Sequence, residues 1–197
     1  MMKPILLASS SPYRRTLLQR LGLPFSCASP DIDETPQPGE PADALAVRLA
    51  AGKAEALARQ YPDTLIIGSD QVATLPDGTL LNKPGDHEQA TLQLTRSSGN
   101  SVRFLTGLAV LDSGTGTLKT CCERFDVHFR ALSATEIENY LRKEQPYDCA
   151  GSFKMEGLGI ALFSQLSGRD PNSLVGLPLI ALVDILREFD VNPLLAP

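Results

Sequence analysis

The sequence predicts an α/β protein built on a mixed sheet, and three observations predict it. Short aliphatic runs alternate with segments whose apolar residues recur every three to four positions. A long hairpin interrupts that alternation in the middle of the chain. The 197 residues, 43% of them hydrophobic and 21% charged, suffice to bury a core without metal or disulfide staples.

Residues 4–8 read as a buried strand. The segment after it carries helix start and stop signals: Ser10 or Ser11 as N-cap, Pro12 in the first turn, apolar Leu17, Leu18 and Leu21, then Gly22. A second strand over 24–29 leads into a Pro-rich acidic loop from Pro30 to Pro41. A helix over about 42–60 places Leu45, Leu49, Ala50 and Leu57 on one side. Thr64 to Ser69 reads as a strand, with Pro76-Asp77-Gly78 turning a hairpin beyond it. Asp86 with Gln89, and Ser133 with Glu136, have capping-box spacing for helices over about 87–97 and 134–143. Between them, 101–111 and 117–130 read as strands around Asp112-Ser-Gly-Thr-Gly116. The tail reads as a strand at 159–164, a polar loop at 167–173 and a helix from Pro178 to about Glu188. No repeat, low-complexity tract or linker divides the sequence, so 1–197 reads as a single domain.

The net charge of −5 argues against long nucleic acid as the main partner, because such proteins need a basic face. Charge is nevertheless uneven. Residues 1–30 hold Lys3, Arg14, Arg15 and Arg20 and no acid, so they carry +4 against −9 for the remainder. No signal-like or membrane-spanning apolar run is present, which predicts a cytoplasmic protein. Cys27, Cys121, Cys122 and Cys149 include no CxxC pair and accompany only two histidines, so buried or neutral thiols are expected rather than zinc or disulfides.

Ser9-Ser10-Ser11-Pro12-Tyr13-Arg14-Arg15 brings hydroxyls, helix N–H groups and two guanidiniums to one turn, which suits a phosphate. The same spacing is that of a plain N-cap followed by solvated arginines. Asp31, Asp33 and Glu34 lie in the acidic loop, and Asp70 stands at the predicted end of an apolar strand. Carboxylates so placed can hold a divalent cation or take a proton from water, although the loop acids also read as solvated charge. Lys53 and Lys83 offer further cations for a polyphosphate, or are ordinary surface residues. The glycine-rich stretches 151–159, carrying Glu156, and 168–178 allow close backbone approach to a ligand, and turn formation explains them equally.

Together these segments resemble the Maf family of nucleoside triphosphate pyrophosphatases over nearly the whole chain. The shared pattern comprises Ser-Ser-Pro-x-Arg-Arg, Asp33-Glu34, Lys53-Ala54, Gly68-Ser69-Asp70, Lys83-Pro84, Ser98-Gly99, Thr106-Gly107, Asp148-Cys-Ala-Gly-Ser-Phe153 and Asn172 to Pro178. Gln71, Glu156 and an aromatic residue at position 13 resemble the YceF-type branch, which hydrolyses 7-methyl-GTP. The resemblance implies an enzyme of two lobes around a cleft, similar to the inosine triphosphate pyrophosphatase fold and commonly a homodimer. It implies cleavage between the α and β phosphates, with Asp70 as proton acceptor. Ser9, Arg14, Lys53 and Lys83 would line the phosphates, and Glu34 would join Asp70 near Mg2+ or Mn2+, or Co2+. The same chemistry on dTTP or UTP, and a nucleotide-binding regulator of septum formation, are the alternatives it leaves.

The base-selecting positions also have a physical rationale. N7-methylguanine is cationic, so an aromatic face at Tyr13 and a carboxylate at Glu156 both suit it. Guanine also presents adjacent N1–H and N2–H donors that one carboxylate accepts together. Two positions depart from the pattern: Tyr13 stands where this branch usually has Trp, and Asn82 where the family usually has Gly.

Overall fold

The computed structural model describes residues 3–195. Six strands form one mixed sheet in the order β2-β1-β3-β4-β5-β6, with five α-helices. The strands are β1 (Ile5–Ala8), β2 (Ser26–Ala28), β3 (Leu65–Thr74), β4 (Ser101–Asp112), β5 (Thr117–Phe129) and β6 (Phe163–Gly168). The helices are α1 (Pro12–Gln19), α2 (Ala42–Leu57), α3 (His87–Ser97), α4 (Ala134–Glu144) and α5 (Leu179–Glu188). β1 pairs in parallel with both β2 and β3, whereas β5 and β6 are antiparallel.

The residues fall into two compact units. The first comprises residues up to Asp70, Thr106–Glu123 and the segment from Asp170 onward. Here the parallel strands are covered on both faces, which explains their unbroken apolar runs. Ile5, Leu7, Leu65, Ile67, Leu108 and Val110 pack against Leu17 and Leu18 of α1 and Leu182, Ile185 and Leu186 of α5. Leu6, Ala8, Ile66 and Leu111 meet Ala54 and Leu57 of α2 on the other face. The predicted stripe on α2 is buried, and Ala46, Lys53 and Ala54 extend it.

α2 lies unusually close to the sheet. A Cβ on Gly68 of β3 would stand 2.0 Å from the Ala50 carbonyl oxygen, and one on Gly107 of β4 would stand 2.1 Å from that of Ala46. Two glycines on neighbouring strands thus admit the helix backbone itself, with alanines four apart facing them.

The second unit comprises Gln71–Leu105 and Arg124–Arg169. Its core is aromatic: Phe153 meets Phe104, Phe129 and Phe163 edge-on, at centroid distances of 5.3, 5.8 and 4.8 Å. α3 packs on α4. The Ser133–Glu136 capping box forms in full, and the Asp86 side chain accepts the Gln89 N–H. The Pro76-Asp77-Gly78 turn closes a short hairpin through an antiparallel bridge between Thr74 and Leu80.

Three sequence expectations change. The strand predicted at 159–164 is a 3-10 turn over Leu158–Leu162 followed by β6, because Gly159 presses on the Lys154 backbone and strand pairing begins only at Phe163. β3 runs on to Thr74, so Asp70 is inside a strand rather than at its end. The polar residues there are tolerated because neighbouring elements supply their partners: the Ser69 hydroxyl donates to the Gly107 carbonyl, and Asp70 accepts from Lys53. Cys27 is exposed rather than buried, and all four cysteines are free thiols.

Candidate active site

The site of the first unit lies where β1 ends and where β3 runs on beyond its parallel pairing with β1, the region where open α/β sheets bind ligands. Leu7 of β1 is in register with Ile67 of β3, and Ser9 follows where β1 gives way to the serine turn, its N–H donating to the Leu7 carbonyl. Ser9 is buried, and its Oγ accepts the Ser11 N–H at 3.1 Å, leaving the hydroxyl proton to donate. Ser11 is the N-cap of α1, and its Oγ accepts the Arg14 N–H. The serine turn is therefore both a cap and a pair of hydroxyls at a helix N-terminus. Tyr13 and Arg14 follow in the first turn of α1, both half-buried.

Side chains alternate along β3, so Asp70 shares the face of Gly68 and Ile66 that α2 covers. Lys53 comes from α2, three residues beyond the Ala50 backbone that rests on Gly68. The close helix-to-sheet contact thus sets the distance from Lys53 to Asp70. Lys53 Nζ lies 2.6 Å from Asp70 Oδ1 and 2.8 Å from Glu34 Oε1. Lys53 and Asp70 are buried, whereas the Glu34 side chain is 59% exposed. One ammonium therefore ties a loop carboxylate to a strand carboxylate.

Arg14 belongs to the same cluster electrostatically. Desolvation pulls its guanidinium below the ordinary arginine value, opposed by the negative charges of Asp70 and Glu34. It stays charged, as guanidinium does in proteins. Its Nε donates to the Gly176 carbonyl at 2.8 Å, and the Ser69 hydroxyl, whose one proton the Gly107 and Gly176 carbonyls share, lies 2.9 Å from the same oxygen. Gly176 has φ +110, a conformation suited to glycine, and ends the short 3-10 turn Pro171–Val175. Asp170, fully buried, fixes that turn: Oδ1 accepts the Asn172 N–H and Oδ2 accepts the Ile180 N–H in the first turn of α5.

Of the residues the sequence singled out, Glu34, Lys53, Asp70 and Arg14 form one cluster, with Ser9 at the neighbouring strand end. Gln71, Lys83 and Glu156 belong to the second unit. Gln71 is half-buried in β3, and Lys83 is exposed in the loop before α3. Glu156 is exposed in the turn after Lys154; burial raises the Tyr140 hydroxyl and the Cys149 thiol, and the Glu156 charge adds to both. Sequence reasoning missed Asp170, the Gly176 carbonyl and the role of Gly107. Alanines at 46 and 50, four apart on a buried stripe, were the signal for the last.

The donor set fits a hard divalent cation that uses one or two carboxylates and completes its shell with water and phosphate oxygens. Glu34 and Asp70 would supply those carboxylates. Among the described residues no group of three His, Cys, Asp or Glu side chains forms an all-protein metal cage. No helix among them is long and apolar enough to cross a membrane.

One similar solved structure shares the fold at low identity. The Staphylococcus aureus Ham1 protein superposes with a TM-score of 0.54 at 15% identity, over 96% of this chain and 100% of that one. A nucleoside-triphosphatase / dITP/XTP pyrophosphatase from Mycobacterium abscessus matches with a TM-score of 0.47 at 15% identity, over 95% of this chain and 97% of that one. The model of the Maf family, described as Maf-like protein, matches residues 4–189. With the serine turn, the Lys53 cluster and the Gly176 loop all inside that span, this chain belongs to the Maf family.

Proposed function

We propose that this Maf-family chain hydrolyses 7-methyl-GTP to 7-methyl-GMP and diphosphate, as a YceF-type enzyme. As a member of the Maf family the chain is a nucleotide pyrophosphatase. The observation that carries the reaction is the Glu34–Lys53–Asp70 ion cluster beside Arg14, built on Asp70 inside β3.

In this reading Asp70 accepts a proton from water while the water oxygen bonds to phosphorus at the α–β anhydride. The bridging P–O bond breaks, leaving a monophosphate and diphosphate. Arg14, aimed by the Gly176 carbonyl, and Ser9, with the α1 N-terminus behind it, bind phosphate oxygens. Lys53 adds charge to the phosphates, and Lys83 is assigned the same role from the family pattern alone. The two carboxylates of the cluster balance Lys53 and Arg14, so a triphosphate of about four negative charges meets a neutral cluster. A divalent cation, Mg2+ or Mn2+, fits that deficit: bound by Glu34 and Asp70, it would neutralise phosphate charge. Tyr13, Gln71 and Glu156 are assigned to base selection, the cationic methylated ring favouring an aromatic face and a carboxylate.

A kinetic panel of 7-methyl-GTP, GTP, UTP and dTTP with Mg2+ or Mn2+ tests the assignment. The expected result is the highest kcat/KM on 7-methyl-GTP, with Glu156→Gln shifting preference toward UTP. Preference for UTP or dTTP by the wild-type protein would overturn the branch but keep the chemistry. Nucleotide binding without turnover of any of the four would favour a regulator and overturn the enzyme.

A further inference from the structure

We infer that Lys53 is an internal stand-in for the divalent cation: its ammonium occupies the place between Glu34 and Asp70, and metal takes that place only as phosphate draws Lys53 away. The inference rests on the proposed nucleotide reaction for the displacing group.

The geometry is that of competition for one position. Nζ lies 2.6 Å from Asp70 Oδ1 and 2.8 Å from Glu34 Oε1. A divalent cation held by Glu34 and Asp70 would draw on the same carboxylates. It would share the space of the ammonium and repel it, so one cation or the other holds the pair.

The two cations of the cluster differ in what restrains them. Arg14 is anchored through Nε to the Gly176 carbonyl. Lys53 Nζ, among the described residues, has only Asp70 and Glu34 as hydrogen-bond and ion-pair partners. α2 itself cannot withdraw, because its Ala46 and Ala50 backbones rest on Gly107 and Gly68. Exchange is therefore a swing of the four-carbon lysine stem from carboxylate to phosphate, with the helix fixed. Arg14 is the standing cation of the site and Lys53 the exchangeable one. The consequence is ordered loading: metal alone is excluded, and metal enters with nucleotide.

The test is Mn2+ binding without nucleotide, read from the electron paramagnetic resonance signal of free Mn2+, in wild type and Lys53→Met. The variant is expected to bind Mn2+ at least roughly tenfold more tightly, and adding Glu34→Gln to it is expected to abolish the gain. Equal or weaker Mn2+ binding by a folded Lys53→Met protein overturns the inference. Because that substitution strips Asp70 of its partner, a crystal structure of the wild type with Mn2+ and a non-hydrolysable nucleoside triphosphate provides a second measure. Nζ is expected beyond about 4 Å from Asp70 there. A cation seated on both carboxylates with Nζ still hydrogen-bonded to them overturns the inference. Neither measurement needs turnover, so a wild type that hydrolyses no nucleotide would refute the proposed function while leaving the Mn2+ comparison to be read.

Discussion

Gly68→Ala perturbs the contact on which the Lys53–Asp70 distance depends. The added Cβ would lie 2.0 Å from the Ala50 carbonyl oxygen and 3.1 Å from both the Ala50 carbonyl carbon and the Ala54 nitrogen, all backbone atoms. Cβ contacts essentially never fall under 3.0 Å, so helix and strand must separate by about 1 Å. Gly68 keeps an ordinary negative-φ backbone, so the cost is steric rather than conformational. Overpacking of a well-filled core costs about 1–3 kcal/mol, and the absence of a flexible side chain that could yield puts this case near 3. In a chain of this size that lowers Tm by about 6–12 °C. A 1 Å displacement also stretches the 2.6 Å contact from Lys53 to Asp70 out of hydrogen-bond range. The assay is urea unfolding followed by tryptophan-independent far-UV circular dichroism, with kcat measured on the folded variant in parallel. An unchanged urea midpoint and unchanged kcat in Gly68→Ala would refute the idea that this contact sets the site.

The remaining predictions concern the proton acceptor, acid stability and the thiols. Asp70→Asn is expected to lose about 10²–10⁴-fold in kcat while nucleotide binding, measured by calorimetry, survives; retained turnover would remove Asp70 from the chemistry. Asp112 is desolvated, which raises its carboxyl, but hydrogen bonds from Lys3 and the Gly114 N–H outweigh that and hold it below the ordinary carboxylate value. A carboxyl depressed in the folded state stabilises above its unfolded value of about 4 and loses that contribution as pH falls through the folded one. Urea midpoints should therefore fall more steeply below about pH 4 in wild type than in Asp112→Asn, and parallel curves would contradict the assignment. Burial raises the Cys122 thiol to about 11 and, with Asp148 beside it, the Cys149 thiol to about 12, whereas Cys27 is exposed. At pH 7.5 iodoacetamide should label Cys27 well before Cys122 and Cys149, as peptide mapping will show.

The local signals were legible wherever a residue's neighbours in sequence are its neighbours in space. Ser133 with Glu136 forms the box its spacing announces, Ser11 and Pro12 open α1, and the turn after Asp112 closes the hairpin. The strand misread at 159–164 shows the limit: Leu158 to Leu162 has strand-like composition, but a tight approach of Gly159 to the Lys154 backbone bends it into a 3-10 turn. Asp70 stands out in the sequence because a carboxylate beside an apolar run demands a partner, and the partner, Lys53, lies 17 residues away on α2.

The acid-free first thirty residues show the division most clearly. Their +4 charge pointed to an anion site, yet only Arg14 of the four bases joins the cluster with Asp70 and Glu34. Lys3 pairs with Asp63 and Asp112, Arg20 donates to Asn172, and Arg15 lines a groove of about 490 Å³ with Phe25 and Cys27. Sequence by itself determined which residues could bear charge, cap helices and resemble a family. Tertiary structure alone decided which charges meet. Coulomb pairing acts over a few ångströms of space and is indifferent to sequence separation, so a glycine on β3, not a charge pattern, brings Lys53 to Asp70.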